Sequence, residues 1–328
     1  MLTAKLTKLE ELLVALLPLP LLWSASIVRS WLLVNAAVQA AIFLPLVIVP
    51  AFATGHMAYV DIGWPLGLAA MGAQFILNAS GFWLRRWAVG GIMLLHGGRM
   101  AAGALVLFFP YRWPEDLPRY RYARLRYERE GGKRWPLKML QDLVGQCWAN
   151  AFILAAPLAL SAADASPRVS AVEIVGWVGW LLSWSLESLA DAQKLHFGRR
   201  NAPSSKDVLG HPPYDGKEYW LWARSRHPNY FFEWCCWVSL TIAALPSFGR
   251  LDAPIAAKLG YALALYLTPR TFYYCLVHWT GAEPAEHFSV LRRERYREYQ
   301  RSTRVLWPFE APLVDHGRRE NWPRAKEG

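Results

Sequence analysis

Apolar residues in this chain are not arranged in narrow periodic stripes. They come in blocks about twenty residues long, separated by polar stretches, at roughly 31–53, 58–79, 87–109, 137–160, 171–195, 228–247 and 256–280. A helix rising about 1.5 Å per residue needs about twenty residues to cross a hydrocarbon core roughly 30 Å thick. Inside lipid the backbone must satisfy its own hydrogen bonds, so such blocks are helices. The pattern predicts an all-α protein, a polytopic transmembrane bundle of about seven spans. A possible eighth, "ELLVALLPLPLLWSASIV", is interrupted by Pro18 and Pro20 and reads as either a span or an interfacial segment. Residues 1–30 are therefore set apart as an N-terminal segment, 31–310 as one membrane domain and 311–328 as a polar tail. No short apolar core followed by a small-residue cleavage site marks a signal peptide. The strip "LRRERYREYQRSTRVLWPF" predicts an amphipathic helix from about 284 to 301 with an apolar tail, Val305 to Phe309, packed under the cytoplasmic face.

Composition sharpens this picture only through where the charge falls. The 328 residues carry a net charge of +11, and 24 of the 36 Lys and Arg lie in three segments, 110–136, 196–227 and 281–328. The segments 80–86, 161–170 and 248–258 hold two, one and two. Two spans separate each basic segment from the next, so all three share a side, which the positive-inside tendency makes cytoplasmic. The charge thus reports topology and gives no reason to expect nucleic acid. Cys147, Cys235, Cys236 and Cys275 sit in apolar blocks without CxxC spacing, so buried small hydrophobes are expected rather than disulfides.

The familiar enzyme signatures are missing. The chain has no GxGxxG, no GxxxxGK[ST] and no GxSxG. None of its eight His residues pair at i, i+4, and no metal is expected. A transporter, a structural protein or an enzyme with its site between helices remain.

Ionisable residues in the apolar blocks are costly, about 2.5–3.5 kcal/mol each on insertion scales, and need partners or a wet cavity. They include Asp61, His96, Arg99, Asp142, Glu187, Asp191, Lys194, Glu233, Arg270 and His278. Glu187 and Asp191 are four apart and share a helix face, as do Asn229 and Glu233 at the start of the next span. Both pairs fall near the basic side, so they can face each other at one depth, with Arg199, Arg200, Arg226 and His227 as a cationic rim. Pro228 suits the first turn of its helix. A plainer reading pairs Glu187 or Asp191 with Lys194 or with an interhelical Arg. Asp61 and Arg99 can likewise be a simple interhelical pair. Gly97, Gly98 and Gly103 read as close helix packing. The strip "LPRYRYARLRYEREGGKRWP" alternates Arg and Tyr, as an anchor on anionic lipid or a phosphate-binding surface would.

"LESLADAQKLHF", "LWARSRHPNYFFEW" and "YREYQRSTRVLWPF", in that order, with "DIGW" and "RYARLR" before them, resemble segments of the bacterial DUF1295 family over about residues 55–310. That family is related to the steroid 5-alpha-reductase C-terminal domain and, more distantly, to isoprenylcysteine carboxyl methyltransferases. The resemblance implies a seven-span bundle in the bacterial inner membrane that binds NADPH in a cytoplasm-facing cavity. It implies cofactor binding by Glu187, Asp191, Asn229, Tyr230 and Glu233. Arg226 and His227 would lie near phosphate, and Tyr296 and Tyr299 near the cofactor's outer end. Two departures stand out: Phe232 and Trp220 occupy positions where the family usually has Gly.

The function this implies is reduction of an activated carbon–carbon double bond in a lipophilic enone, steroid- or terpenoid-like, with NADPH as donor and membrane lipid as surroundings. Tyr59 or Asp61 is the expected polariser of the carbonyl, Asp61 only if burial keeps it protonated. Two readings compete. One is an S-adenosylmethionine-dependent methyltransferase of a lipid or prenylated thiol; the other is a transporter or lipid-binding bundle without chemistry.

Overall fold

The structure, a computed structural model, describes residues 6–23, 26–79, 81–111, 116–201 and 205–306. The tail 311–328 and the last residues of the apolar stretch after Val305 lie outside the described residues. Helices dominate: α1 (Lys8–Leu16), α2 (Pro18–Leu22), α3 (Ser26–Phe43), α4 (Val49–Thr54), α5 (Val60–Asn78), α6 (Trp83–Tyr111), α7 (Pro118–Gly131) and α8 (Trp135–Trp148) fill the first half. The second half holds α9 (Ala155–Ala163), α10 (Ala171–Arg200), α11 (Trp220–Arg224), α12 (Pro228–Gly249), α13 (Ile255–Tyr274), α14 (Ala282–Arg292) and α15 (Tyr296–Ser302). No strand occurs among the described residues; Ser225 and Arg304 form an isolated parallel bridge.

Five helical stretches are long and apolar enough to cross a membrane: Val28–Thr54, Val60–Asn78, Trp83–Phe109, Gly132–Ala163 and Pro228–Gly249. The 30 residues of α10 and 20 of α13 have the length, about 45 and 30 Å, but more Trp, Tyr and charge dilute their hydropathy. At the bundle centre lies α9, whose residues from Ala155 to Ala162 are all buried, as befits a helix apolar on every side. Leu33, Val34, Val106, Leu107, Val175 and Val178 point outward, as lipid-facing residues do.

The Pro-broken N-terminus threads along α13 rather than lying across its end. Glu10 meets the Arg270 Nε at 3.0 Å, and Pro20 packs where a Cβ on Gly260 would come within 2.7 Å. Leu17 and Leu21 are buried in the main core.

Successive long helices run antiparallel, with α5 laid along α6 and α10 along α12. Close approach depends on small residues. A Cβ on Gly97 would lie 2.4 Å from the Pro65 carbonyl oxygen, and one on Gly176 would lie 2.7 Å from the Ser239 carbonyl oxygen. Gly98 and Gly103 have nothing within 4 Å, so only Gly97 of the three flanking glycines serves packing.

The fourth span is interrupted by a π turn, Ala149–Ile153. Asn35 donates to the carbonyls of Asn150 and Ala151 there, both at 3.1 Å, and Gln39 donates to Asn35 and to the Gly67 carbonyl. This buried amide cluster satisfies backbone that a widened helix leaves open. At the end of the bundle away from the basic segments, Arg85 holds Glu173 at 2.5 Å, and Asp164 accepts from Ser247 at 2.7 Å and from Arg250. That clamp ties α6, α10 and α12 together.

The C-terminal strip is two helices, not one. A straight helix from 284 to 301 would put Glu286 and Gln300 about 21 Å apart. Both touch Arg226, and the break at residues 293–295 makes that possible.

Candidate functional site

The site is built on three helices. From α6 come His96 and Arg99, from α10 Trp180, Trp184, Glu187 and Asp191, and from α12 Asn229, Glu233, Cys236 and Trp237. The two i, i+4 pairs do meet. Arg99 donates to Glu187 and, at 2.9 Å, to Asp191; Asn229 donates to the other Asp191 oxygen at 3.1 Å. His96 Nε2 lies 3.0 Å from Glu233 Oε1, which also accepts from the Trp237 indole at 3.3 Å. Exposure falls inward along α10: the Asp191 side chain is 43% exposed and that of Glu187 only 5%. The cluster opens at Asp191, toward the basic face, and is shut at its inner end by tryptophan. Trp180 and Trp184 stack at 5.8 Å, Arg99 lies over the Trp184 ring, and His96 presents to the rings of Trp180 and Trp237.

The plain alternative, pairing with an interhelical Arg, is therefore realised, by Arg99 and not Lys194. It does not exhaust the cluster. Buried atoms left without a partner include His96 Nδ1, Arg99 Nε, Glu187 Oε2, Asn229 Oδ1 and Glu233 Oε2. Each such atom costs about 1–3 kcal/mol, so their convergence on one spot calls for a ligand there. One guanidinium also faces three carboxylates.

Arg226 and His227 were expected at an open rim. Arg226 is instead fully buried. Its guanidinium donates to both Glu286 oxygens at 2.7 and 3.1 Å and to the carbonyls of Gln300 and Thr303. Four of its five N–H groups are thereby engaged, and none of these contacts is with the cluster. His227 Nε2 lies 2.9 Å from Glu286, and the ring stacks on Tyr230 at 5.1 Å. Burial opposes charge on Glu286, but the hydrogen bond from His227 and the Arg226 guanidinium outweigh it and pull its pKa down to about 2. Burial pulls His227 down, keeping it neutral with its Nε2 proton on Glu286. Tyr299 donates to the Trp222 carbonyl at 2.5 Å and Tyr296 packs beside it, both phenols pushed up by burial. These residues pin the C-terminal helices under α12; the expected phosphate and outer-end contacts have no free groups here.

Asp61 does not pair with Arg99. It accepts from Arg119 and, at 2.5 Å, from Tyr120, both on α7. Burial and then the Asp61 charge push Tyr120 well above the ordinary phenol range, so Tyr120 is the proton-bearing partner and Asp61 the acceptor. That is the reverse of the donor role expected of Asp61. Tyr59 packs on Phe108 at 6.0 Å, and Phe108 is about 13 Å along α6 from Arg99. Tyr59 and Asp61 thus form a second polar group nearer the basic face. Phe232, in place of the usual Gly, packs with Ala190, Leu221 and Trp222, outside the cluster.

Sequence spacing missed His96 and Arg99 as site members, although their i, i+3 spacing on an apolar helix was the available signal. Cys236 gave none beyond its position three residues after Glu233.

No curated protein and no solved structure matches the chain. The family model described as a protein of unknown function, DUF1295, matches residues 47–303, most of the membrane bundle including all three helices of the cluster, and the chain belongs to that family.

Proposed function

We propose that the chain is a membrane-embedded, NADPH-dependent reductase of an activated C=C bond in a lipophilic enone, steroid- or terpenoid-like. The observation that carries this is the set of unpartnered buried atoms between α6 and α12. A nicotinamide carboxamide offers two N–H donors and one carbonyl acceptor. Asn229 Oδ1 and Glu233 Oε2 are free acceptors, and Arg99 Nε is a free donor, so the residues present fit that group. Lys194 is one turn outward from Asp191 on α10 and exposed, on the way to Arg199 and Arg200 where phosphates would follow.

When bound, the reduced nicotinamide supplies a hydride. Everything else falls to the chain. Arg99, Asn229 and Glu233 hold and orient the ring. Trp180, Trp184 and Trp237 exclude water from the inner end, which strengthens each polar contact. A bundle with apolar outer faces admits its substrate from the bilayer. The basic face is cytoplasmic in this reading, the bilayer is the bacterial inner membrane and the C-terminal helices are internal. Tyr120, with its proton held against Asp61, replaces Asp61 as the hydrogen-bond donor to an oxygen near the basic face.

The test is a titration of detergent-purified protein with NADPH, read by energy transfer from tryptophan to nicotinamide. A saturable signal is expected, weakened at least about tenfold in Asn229→Ala and Glu233→Gln, one lost charge-assisted contact being worth about 1.5–3 kcal/mol. Saturable binding of S-adenosylmethionine with none of NADPH would establish the methyltransferase reading instead. Binding of neither would leave a transporter or lipid-binding bundle.

A further inference from the structure

We propose that His96, Glu187 and Cys236 form a binding site for a thiophilic divalent cation, Zn²⁺ by its donor chemistry. This goes beyond the cofactor reading and does not rest on it. One ligand atom from each of the three residues lies within 4.8 Å of the other two, and all three residues are buried. Nitrogen, carboxylate oxygen and sulfur together are a zinc-type donor set.

Three independent features point to a cation. First, two of the donors are orphaned: His96 Nδ1 and Glu187 Oε2 have no partner although their residues are 1% and 4% exposed. Second, the other His96 nitrogen, Nε2, sits 3.0 Å from Glu233. A carboxylate behind a histidine is the arrangement that fixes the ring and frees the opposite nitrogen for a metal. Glu187 is braced in the same way by Arg99 through its other oxygen. Third, Glu187, Asp191 and Glu233 face a single guanidinium, so the buried cluster carries excess negative charge that a cation offsets. Cys236 is fully buried, and its only recorded hydrogen bond is a weak one to the Trp180 carbonyl at 3.9 Å.

Zinc bound at about 2.0–2.3 Å to each ligand puts ligand atoms roughly 3.3–3.8 Å apart, so closure asks for movements of about 1 Å or less. Binding would release the thiol proton of Cys236, leaving a thiolate on the metal and affinity that rises with pH. Three protein ligands leave a fourth position open, as in sites where a metal takes a substrate or water oxygen.

The full-length protein in detergent, dialysed against a chelator, is titrated with Co²⁺ alone and followed by visible absorption. One equivalent is expected to give a tetrahedral d–d envelope and a sulfur-to-cobalt charge-transfer band. Cys236→Ala, a small change at an apolar position, is expected to abolish the charge-transfer band and weaken binding at least about 100-fold; Cys235→Ala keeps both. Glu233→Gln is expected to weaken binding about 10- to 100-fold with the band retained. Tryptophan emission and thermal unfolding confirm that each variant is folded. Absence of the sulfur band in the parent, or a Cys236→Ala variant that binds Co²⁺ as the parent does, overturns the proposal. No nicotinamide is present, so failure here leaves the cofactor reading standing, and failure of NADPH binding leaves this one.

Discussion

Replacing Glu286 by Ala removes the one carboxylate that holds Arg226 and His227 together. The perturbation is severe because the three side chains are almost wholly inaccessible: Arg226 is 0% and Glu286 1% exposed. Two of the four Arg226 hydrogen bonds are lost, as are the bonds from His227 and from Gln300, which reaches Glu286 at 2.7 Å. Removing one partner of a buried ion pair costs about 3–5 kcal/mol, chiefly because the other charge stays behind unpaired. The depressed pKa gives a compatible figure: a fall from 4.5 to about 2 corresponds to about 3 kcal/mol. Its sign is that of a depressed carboxylate. The stabilisation is complete above pH about 4.5 and is lost as pH falls through it toward 2, where folded and unfolded forms are both protonated.

The backbone reports the outcome. The amides of Arg226 and His227 donate to the carbonyls of Arg304 and Val305, so opening of the C-terminal strip exposes them. At 1.4 kcal/mol per decade, the variant's opened population rises by about 10² to 4 × 10³. Hydrogen exchange read on peptides covering 226–231 and 286–303 should lose protection by that factor while peptides from α9 change far less. Replacing both partners by leucine should recover much of the loss, because no orphan charge remains. Unchanged exchange in Glu286→Ala at neutral pH would refute the reasoning that Arg226 is a structural anchor.

Gly97→Ala should destabilise the bundle by about 1–3 kcal/mol and weaken NADPH binding, because the new methyl meets Pro65 and Ala69 backbone at 2.4 Å and must push α6, with His96 and Arg99, away from α5. Gly98→Ala, with open space around it, should instead be neutral or stabilising by up to about 1 kcal/mol; thermal unfolding in detergent distinguishes the two, and equal effects would contradict the packing argument. Asp164→Asn should cost about 2 kcal/mol, the full buried-pair penalty being reduced because Arg250 is 37% exposed. NADPH affinity should not change, since this clamp joins α10 at Glu173, about 27 Å along the helix from Asp191.

Much of the site was legible in the sequence because helix periodicity is local. Residues four apart share a face whatever the fold, so Glu187 with Asp191 and Asn229 with Glu233 could be paired before any coordinates. Parity of the basic segments placed both pairs at one depth. The errors share a different origin. Arg226 looked like a rim cation because it precedes a span. Its fate was set by Glu286, sixty residues away, and by carbonyls of a helix that has to break to reach it. Asp61 looked like a partner for Arg99 because both are charges in apolar blocks; Arg119, on a surface helix, takes it instead. No local pattern encodes such choices, since they depend on which side chain arrives within hydrogen-bond distance after the helices pack.

By itself, then, the order of residues determined the class of protein, its long apolar helices, the side on which its charge gathers and the two acidic faces, because bilayer thickness and helical pitch act on each segment alone. Tertiary packing decided the rest: that α6 inserts His96 and Arg99 between α10 and α12, that Cys236 joins them, and that the RH of the motif closes on Glu286. In a low-dielectric interior an uncompensated charge costs several kcal/mol, so partners are chosen by three-dimensional proximity, which sequence distance does not measure.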